Sequence, residues 1–319
     1  MADKGSLPLP LAPATPATVQ AHRGGTLARR EALACYLFIA PAVLGLLAFA
    51  AVPIVTSLYL SLTDYQIGQT AHVIGLQNYA TMAADPLFWQ SLRVTTVYSL
   101  ASVPLGLIGG LTLALLLNQK VRGLPFWRTI YYLPSVLGGV PVALLWVWIF
   151  NPQFGLLTMA LRLVGLRGPD WLGDPTWALP SLILMSLWGV GGGMIIYLAG
   201  LQGIPTDLYE AADVDGAGEG AKFRRITLPM LTPVIFFNLI TGVIGSLQTF
   251  TQGFVMTQGG PENATLFYVL FLYQNAFQYL KMGYASALAW VLFALIFLLT
   301  MLVFRSASSW VYYEGERAR

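Results

Sequence analysis

Charge is what this 319-residue sequence has least of: 10% of its residues are charged, while 56% are hydrophobic. Soluble domains carry about 25% charged residues, so most of this chain does not face water. The 17 basic and 14 acidic side chains leave a net charge of +3, too small and too dispersed for a nucleic-acid-binding protein. The one cysteine, Cys35, sits inside an apolar run. It can close no internal disulfide and build no cysteine cluster for a metal. His22 and His72 are the only histidines, which removes the usual means for metal centres and imidazole acid–base chemistry. The interiors of the long apolar segments lack Asp, Glu, Lys, Arg and His. Ion-coupled carriers keep such a group at membrane depth, and an intramembrane hydrolase needs an acid–base set. A stand-alone secondary carrier for a neutral solute is therefore only the second reading of the chain, and a membrane enzyme ranks below it.

What is present is apolar length. Six segments, near 34–62, 92–117, 129–150, 177–199, 229–252 and 284–304, are long enough to cross about 30 Å of hydrocarbon, which takes about 20 residues. The run from Ala32 to Thr63 far exceeds the apolar core of a signal peptide, about 7–15 residues, so it reads as a retained first helix. The fold class is all-α, a polytopic membrane protein with six transmembrane helices over 34–304. Residues 1–33, rich in Pro, Ala and Thr, read as a disordered tail, and 305–319 as a second tail. The stretch 263–280 scatters Phe267, Tyr268, Phe271, Tyr273, Phe277 and Tyr279 among amides, which suits an interfacial helix or outer lid. Of the 17 lysines and arginines, only Arg93, Arg162, Arg167 and Lys281 fall on one side of this arrangement. The positive-inside rule then places both termini and the loop 200–228 in the cytoplasm.

That loop is a polar island between two uncharged apolar segments. Asp207, Glu210, Asp213 and Asp215 come first, and Lys222, Arg224 and Arg225 follow, an order that complements a helix macrodipole. Pro205-Thr206-Asp207 is a helix start, and Gly216 can supply a left-handed stop. A second short helix carries Phe223 and Ile226 and ends before Pro229. The run from Gly216 to Lys222 faintly imitates a phosphate-binding loop. It lacks the Gly-Lys-Ser/Thr ending and a preceding strand, so nucleotide binding by this chain is rejected.

Two features of the apolar segments could meet a solute. Asn238, Thr241, Gly245, Gln248 and Gln252 recur at spacings of three and four, sharing one helical face over roughly 20 Å. Amides and a hydroxyl suit a passage for a hydroxylated solute, and they equally suit hydrogen bonds between helices. Trp188 lies beside Gly189, Gly191, Gly192 and Gly193, where a kink or a close backbone approach is allowed. Its indole could stack on a sugar ring or simply pack, and Tyr197 is a second aromatic candidate.

The loop also carries a family pattern: Glu210-Ala211-Ala212, Asp215-Gly216-Ala217, Phe223 and Ile226-Thr227-Leu228-Pro229. It resembles the cytoplasmic coupling signature of the permease subunits of ABC importers. Arg128-Thr129-Ile130-Tyr131-Tyr132-Leu133-Pro134, Asn151-Pro152-Gln153-Phe154-Gly155 and Met256-Thr257-Gln258-Gly259-Gly260-Pro261 are similar to the carbohydrate branch, of the maltose/glycerol-phosphate type. The family core is expected at about 92–304. The resemblance implies the type I importer fold in the bacterial inner membrane and a translocation pathway for a sugar or polyol. It further implies four kinds of partner: a second permease subunit, two ATPase subunits holding ATP and Mg, an extracytoplasmic solute-binding protein, and the lipid bilayer. No cofactor is expected on this chain, and the ATPase would be gripped through Glu210, Ala211, Ala212, Asp215, Gly216, Ala217, Phe223, Ile226, Leu228 and Pro229.

Overall fold

The computed structural model describes residues 26–119 and 122–312. Among these the regular secondary structure is helical, joined by turns and loops, with a single isolated antiparallel bridge between Thr63 and Val73. The chain divides into two units, Met1–Thr56 and Ser57–Arg319. The first holds α1 (Thr26–Leu46), a π turn at Leu47–Ala51 and the start of α2 (Val52–Ser61). Its helix begins at Thr26, earlier than the 34 expected from sequence, so residues 26–33 are helical rather than tail; residues 1–25 lie outside the described residues. The π turn closes with Val52 N–H donating to the Leu47 carbonyl, directly before Pro53. A proline ring clashes with the carbonyl four residues back, and one widened turn makes room for it.

In the second unit α3 (Gln77–Ala84) leads to α4 (Pro86–Leu117), the longest helix with 32 residues. Its start is well specified, because Asp85 accepts from Leu87 N–H at 2.9 Å and Pro86 takes a position whose N–H would be unused. There follow α5 (Leu124–Val136), α6 (Gly139–Ile149), α7 (Leu156–Leu163), α8 (Pro175–Ser186) and α9 (Gly191–Gln202). After them come α10 (Thr206–Val214), α11 (Glu219–Lys222), α12 (Leu228–Met230), α13 (Thr232–Leu247), α14 (Tyr268–Tyr273) and α15 (Met282–Trp310). Residues 305–310, expected as tail, continue α15, and 313–319 lie outside the described residues.

Three helical stretches among the described residues are long and apolar enough to cross a membrane, and up to six crossings result if each of three bent pairs is one span. The bends correct the sequence reading. The segment expected as one helix over 129–150 is α5 and α6 meeting at 101°, broken where Leu137 turns extended and Gly138 follows. The segment 177–199 bends by 42° between α8 and α9, at the glycine run singled out for a kink. Gly191 also permits a close approach: a Cβ there would lie 1.9 Å from the Tyr131 carbonyl oxygen, so α9 starts pressed against the α5 backbone. The third pair, Glu219–Met230 with α13, turns by 60° at Leu231.

Three apolar clusters sit along this frame. The first joins Phe88, Val94 and Tyr98 of α4 to Leu182, to Leu266–Phe271 and to Tyr284 and Leu288 of α15. Phe267, Tyr268 and Phe271, expected in an outer lid, are buried here. Tyr268 donates its N–H to Thr95 Oγ1 and its hydroxyl to the Leu288 carbonyl, both at 2.8 Å, so its polar atoms are satisfied and the ring can enter the core. Only Phe277 and Tyr279, farther along, remain exposed. The second cluster holds Ala114 and Leu117 of α4 with Met194, Tyr197, Leu198 and Leu201 of α9 and Leu231. The third gathers Ala143, Trp146, Phe150, Trp171 and Met185. Between the first two clusters, the middle of α4 is left facing a cavity.

Candidate functional site

The loop between α9 and α13 is built as helix, glycine turn, helix. α10 starts after Pro205 with Asp207 in its first turn. It stops because Gly216 adopts φ +71°. Ala217 N–H then donates to the Ala212 carbonyl at 2.9 Å and Gly216 N–H to that of Asp213 at 3.0 Å. This pair of bonds is a Schellman C-cap, which uses up carbonyls that a helix end otherwise leaves orphaned. The second piece does not end before Pro229 as expected. It runs from Glu219 to Met230 through a π turn at Phe223–Thr227, closed by Leu228 N–H on the Phe223 carbonyl. As at Pro53, the widened turn precedes a proline and accommodates it.

The charges also divide differently from the single acidic-to-basic helix read from sequence. α10 ends with Asp213 and no basic residue in its last turn, a sign opposed to the macrodipole. Lys222 of the second piece offsets it: the ammonium pairs with Asp213 and donates to Glu219 Oε1 at 2.9 Å. The Lys222 side chain is nearly covered. The hydrogen bonds it donates to Asp213 and then Glu219 raise its pKa above the usual lysine value. A second tie, Tyr209 hydroxyl with Thr227 Oγ1 at 2.9 Å, joins the two pieces nearer their base. Tyr209 and Ile226 root them in the second apolar cluster. Glu210, Ala211, Asp215 and Gly216 stay exposed, while Ala212, Ala217, Phe223, Leu228 and Pro229 are half-buried. Sequence reasoning passed over Val214. It is 89% exposed at the outer end of α10, an apolar side chain between two aspartates.

The cavity, about 410 Å³, lies where α4, the α8/α9 pair and α13 cross. Its lining carries Tyr98 and Ser102 from α4, Ser186 and Tyr197 from the bent pair, and Asn238, Thr241, Ser246, Thr249 and Gln252 beyond. Every one of these is a neutral hydrogen-bonding group, and glycines together with Val103, Leu107 and Val190 make the remaining wall. A Cβ added at Gly106, Gly189 or Gly245 would meet nothing within 4 Å. Across the wall Ser99 and Ser246 share a hydrogen bond of 2.6 Å, which pins α4 to α13. Asn238 donates to the Val234 carbonyl at 2.9 Å and sets its Oδ1 beside Gly193. Thr241 donates to the Phe237 carbonyl. These bonds leave acceptor capacity on both side chains. The Tyr197 hydroxyl, on a residue 1% exposed, is buried with no hydrogen-bond partner among the described residues. Such an orphan donor is costly unless a ligand or water satisfies it.

Of the residues named from sequence, the structure brings Tyr197, Asn238, Thr241 and Gln252 to this cavity. It does not bring Gln248, because α13 ends at Leu247 and Gln248 leaves helical geometry at φ −98°, ψ 14°. Gln248 instead borders an apolar groove with Val269, Leu272, Leu292, Phe293 and Ile296. Trp188 also falls outside the cavity lining, standing edge-on to Trp146 with ring centroids 5.7 Å apart. The α4 contribution was missed. Tyr98, Ser102 and Gly106 recur every fourth residue, a small polar face that the count of apolar residues hid.

Residues 102–311 match the family described as the binding-protein-dependent transport system inner membrane component, which extends past the expected core at its end. The chain is 45% identical to the probable ABC transporter permease protein YesP of Bacillus subtilis (strain 168), over 90% of this chain and 94% of that one. It is 38% identical to the sulfoquinovosyl glycerol transport system permease protein SmoG of Agrobacterium fabrum (strain C58 / ATCC 33970), over 86% and 90%. Among solved structures, a bacterial alginate ABC transporter in complex with an alginate pentasaccharide-bound periplasmic protein superposes with a TM-score of 0.76. The identity there is 25%, over 88% of this chain and 95% of that one.

Proposed function

Because the chain belongs to the family of binding-protein-dependent transport system inner membrane components, and is thus the translocation subunit of an ABC importer, we propose that its cavity passes a carbohydrate. The observation that carries the reading is the ring of neutral hydroxyl and amide groups around about 410 Å³ of space, with the unpaired Tyr197 hydroxyl among them. Sugar hydroxyls donate and accept, and groups of this kind answer both demands. The saccharides in the names of its relatives support the same class.

The loop 206–230 is the coupling element. α9 enters it directly from the cavity wall and α13 leaves it for the same wall, so a push on the loop is delivered to the walls through two helices. Glu210 and Val214 offer an anion and an apolar contact to an ATPase groove, while Gly216 keeps the turn between the two pieces. ATP and Mg reside on two ATPase subunits, a second permease subunit completes the pathway, and a solute-binding protein delivers the sugar. Both termini and the loop face the cytoplasm, following the lysine and arginine distribution. The test is reconstitution: the complex with its ATPase should transport sugar and hydrolyse ATP in response to the loaded binding protein. Uptake by this chain without any ATPase would overturn the reading in favour of a secondary carrier.

A further inference from the structure

Between α6 and α8 the chain makes a short helix, α7, that is apolar on two opposite sides. One side is spent inside the protein: Leu157 and Leu161 pack on the third apolar cluster, and Thr158 accepts from the Trp171 indole at 3.0 Å. The other side carries Leu156, Met159 and Leu163 at spacings of three and four, followed by Val164 and Leu166, all exposed; Leu163 is 89% exposed. This apolar face in water would be a liability rather than a neutral choice.

Two independent observations say what covers it. The flanking helices carry exposed tryptophans at the ends nearest the loop, Trp148 at the close of α6 and Trp177 at the opening of α8. Tryptophan belongs at the headgroup level of a bilayer, and chain continuity holds α7 between these two markers. The charges agree. Arg162 donates to the Gln153 and Pro152 carbonyls at 3.1 and 3.3 Å, tying the helix down. Arg167 is exposed just past the apolar run, where a guanidinium can meet lipid phosphate.

We propose that α7 is an interfacial anchor whose Leu156–Met159–Leu163 face lies in the headgroup boundary of the bilayer, about 5–10 Å below its polar surface. A helix held this way fixes the loop joining two bent membrane segments, and with it the outer approach to Trp171 and the third cluster.

The test uses the complete transporter, with Cys35→Ser, in vesicles of phosphatidylethanolamine and phosphatidylglycerol. Nitroxides are placed singly by Met159→Cys, Leu163→Cys and, as a control on the exposed loop, Asp170→Cys. At 159 and 163 collisions with oxygen should exceed those with a water-soluble nickel chelate, and at 170 the order should reverse. If the nitroxides at 159 and 163 collide mainly with the nickel chelate, the face is in water and the proposal fails. If they are shielded from both reagents, another protein subunit covers the face and the proposal fails equally. Two probe positions on one face keep a single misplaced label from deciding the outcome.

Discussion

The loop at 206–230 and the cavity above it are built on opposite plans. The loop is local. Its helix stop, its Asp213–Lys222 pair and its Tyr209–Thr227 bond all join residues within one short stretch, and its surface is turned outward. The cavity is assembled by helices distant in sequence, since Tyr98, Tyr197 and Asn238 meet only because α4, α9 and α13 cross. An outward-turned surface can be written into one segment. A passage through a helix bundle cannot, because each helix contributes only the face it turns inward.

The comparison breaks most sharply if the loop is injured while the cavity is left whole. Gly216→Val puts a β-branched residue at φ +71°, which costs on the order of 1–2 kcal/mol of local strain. A Cβ at that position meets nothing within 4 Å among the described residues beyond its chain neighbours, so the spans should insert and fold normally. Glu210→Lys reverses a charge on an exposed side chain. Both variants should give normal amounts of membrane protein that copurifies poorly with the ATPase, with stimulation of ATP hydrolysis by loaded binding protein lost. Wild-type stimulation in both would remove the loop from coupling altogether.

The reverse injury should separate affinity from coupling. Tyr197→Phe deletes a hydroxyl that has no partner among the described residues, so assembly should be unaffected or slightly favoured. If the hydroxyl serves the sugar, the concentration for half-maximal uptake should rise about two- to tenfold, the worth of one neutral hydrogen bond. Asn238→Leu should act in the same direction. Unchanged uptake in both would leave the ring of polar groups as helix-to-helix glue, like the Ser99–Ser246 pair.

The same contrast governs what could be read from the sequence. The loop's turn was legible because a positive φ demands glycine and the cap residues are neighbours of Gly216. The continuation of the second piece past Pro229 was not, since it depends on a π turn that no propensity rule foretells. In α13, Asn238 and Thr241 were legible from helical spacing alone. Tyr98 and Ser102 were lost inside an otherwise apolar α4. Phe267, Tyr268 and Phe271 looked interfacial by composition, and only their packing in the first apolar cluster, with Tyr268 bonded to Thr95 and Leu288, places them in the core. The break between α5 and α6 escaped because apolar length says how far a segment can reach, and nothing about whether it runs straight.

A smaller effect is expected at the tie between the loop's two pieces. Lys222→Met leaves Asp213 unpaired at the end of α10, against the dipole. Coupling should weaken modestly while expression holds. The lysine pKa is raised in the folded loop, so its contribution is complete below the unfolded value of about 10.4 and is lost only as pH rises through the higher folded value. The ratio of mutant to wild-type stimulated ATP hydrolysis should therefore be flat between about pH 6 and pH 9. A ratio that changes steeply over that range would mean that a group other than Lys222 sets the tie.

The smallest expected effect is the one that most closely sharpens the boundary of the cavity. Gln248 and Gln252 are four residues apart and would share a face if α13 continued. It stops at Leu247, and the two amides part: Gln252 borders the cavity with Asn238 and Thr241, and Gln248 the apolar groove with Leu292 and Phe293. Gln248→Leu should leave the concentration for half-maximal uptake within about twofold of wild type, because it removes no hydrogen bond offered to the solute. Gln252→Leu should raise it about two- to tenfold by the same reasoning as for Tyr197. Both glutamines are near the same helix end, so a general disturbance of that end would affect both variants alike. Only the geometry of the break separates them. If Gln248→Leu weakens uptake as much as Gln252→Leu does, α13 stays helical through Gln248 in the working transporter and the polar face is continuous. The cavity would then extend along the whole stripe that the spacing first suggested.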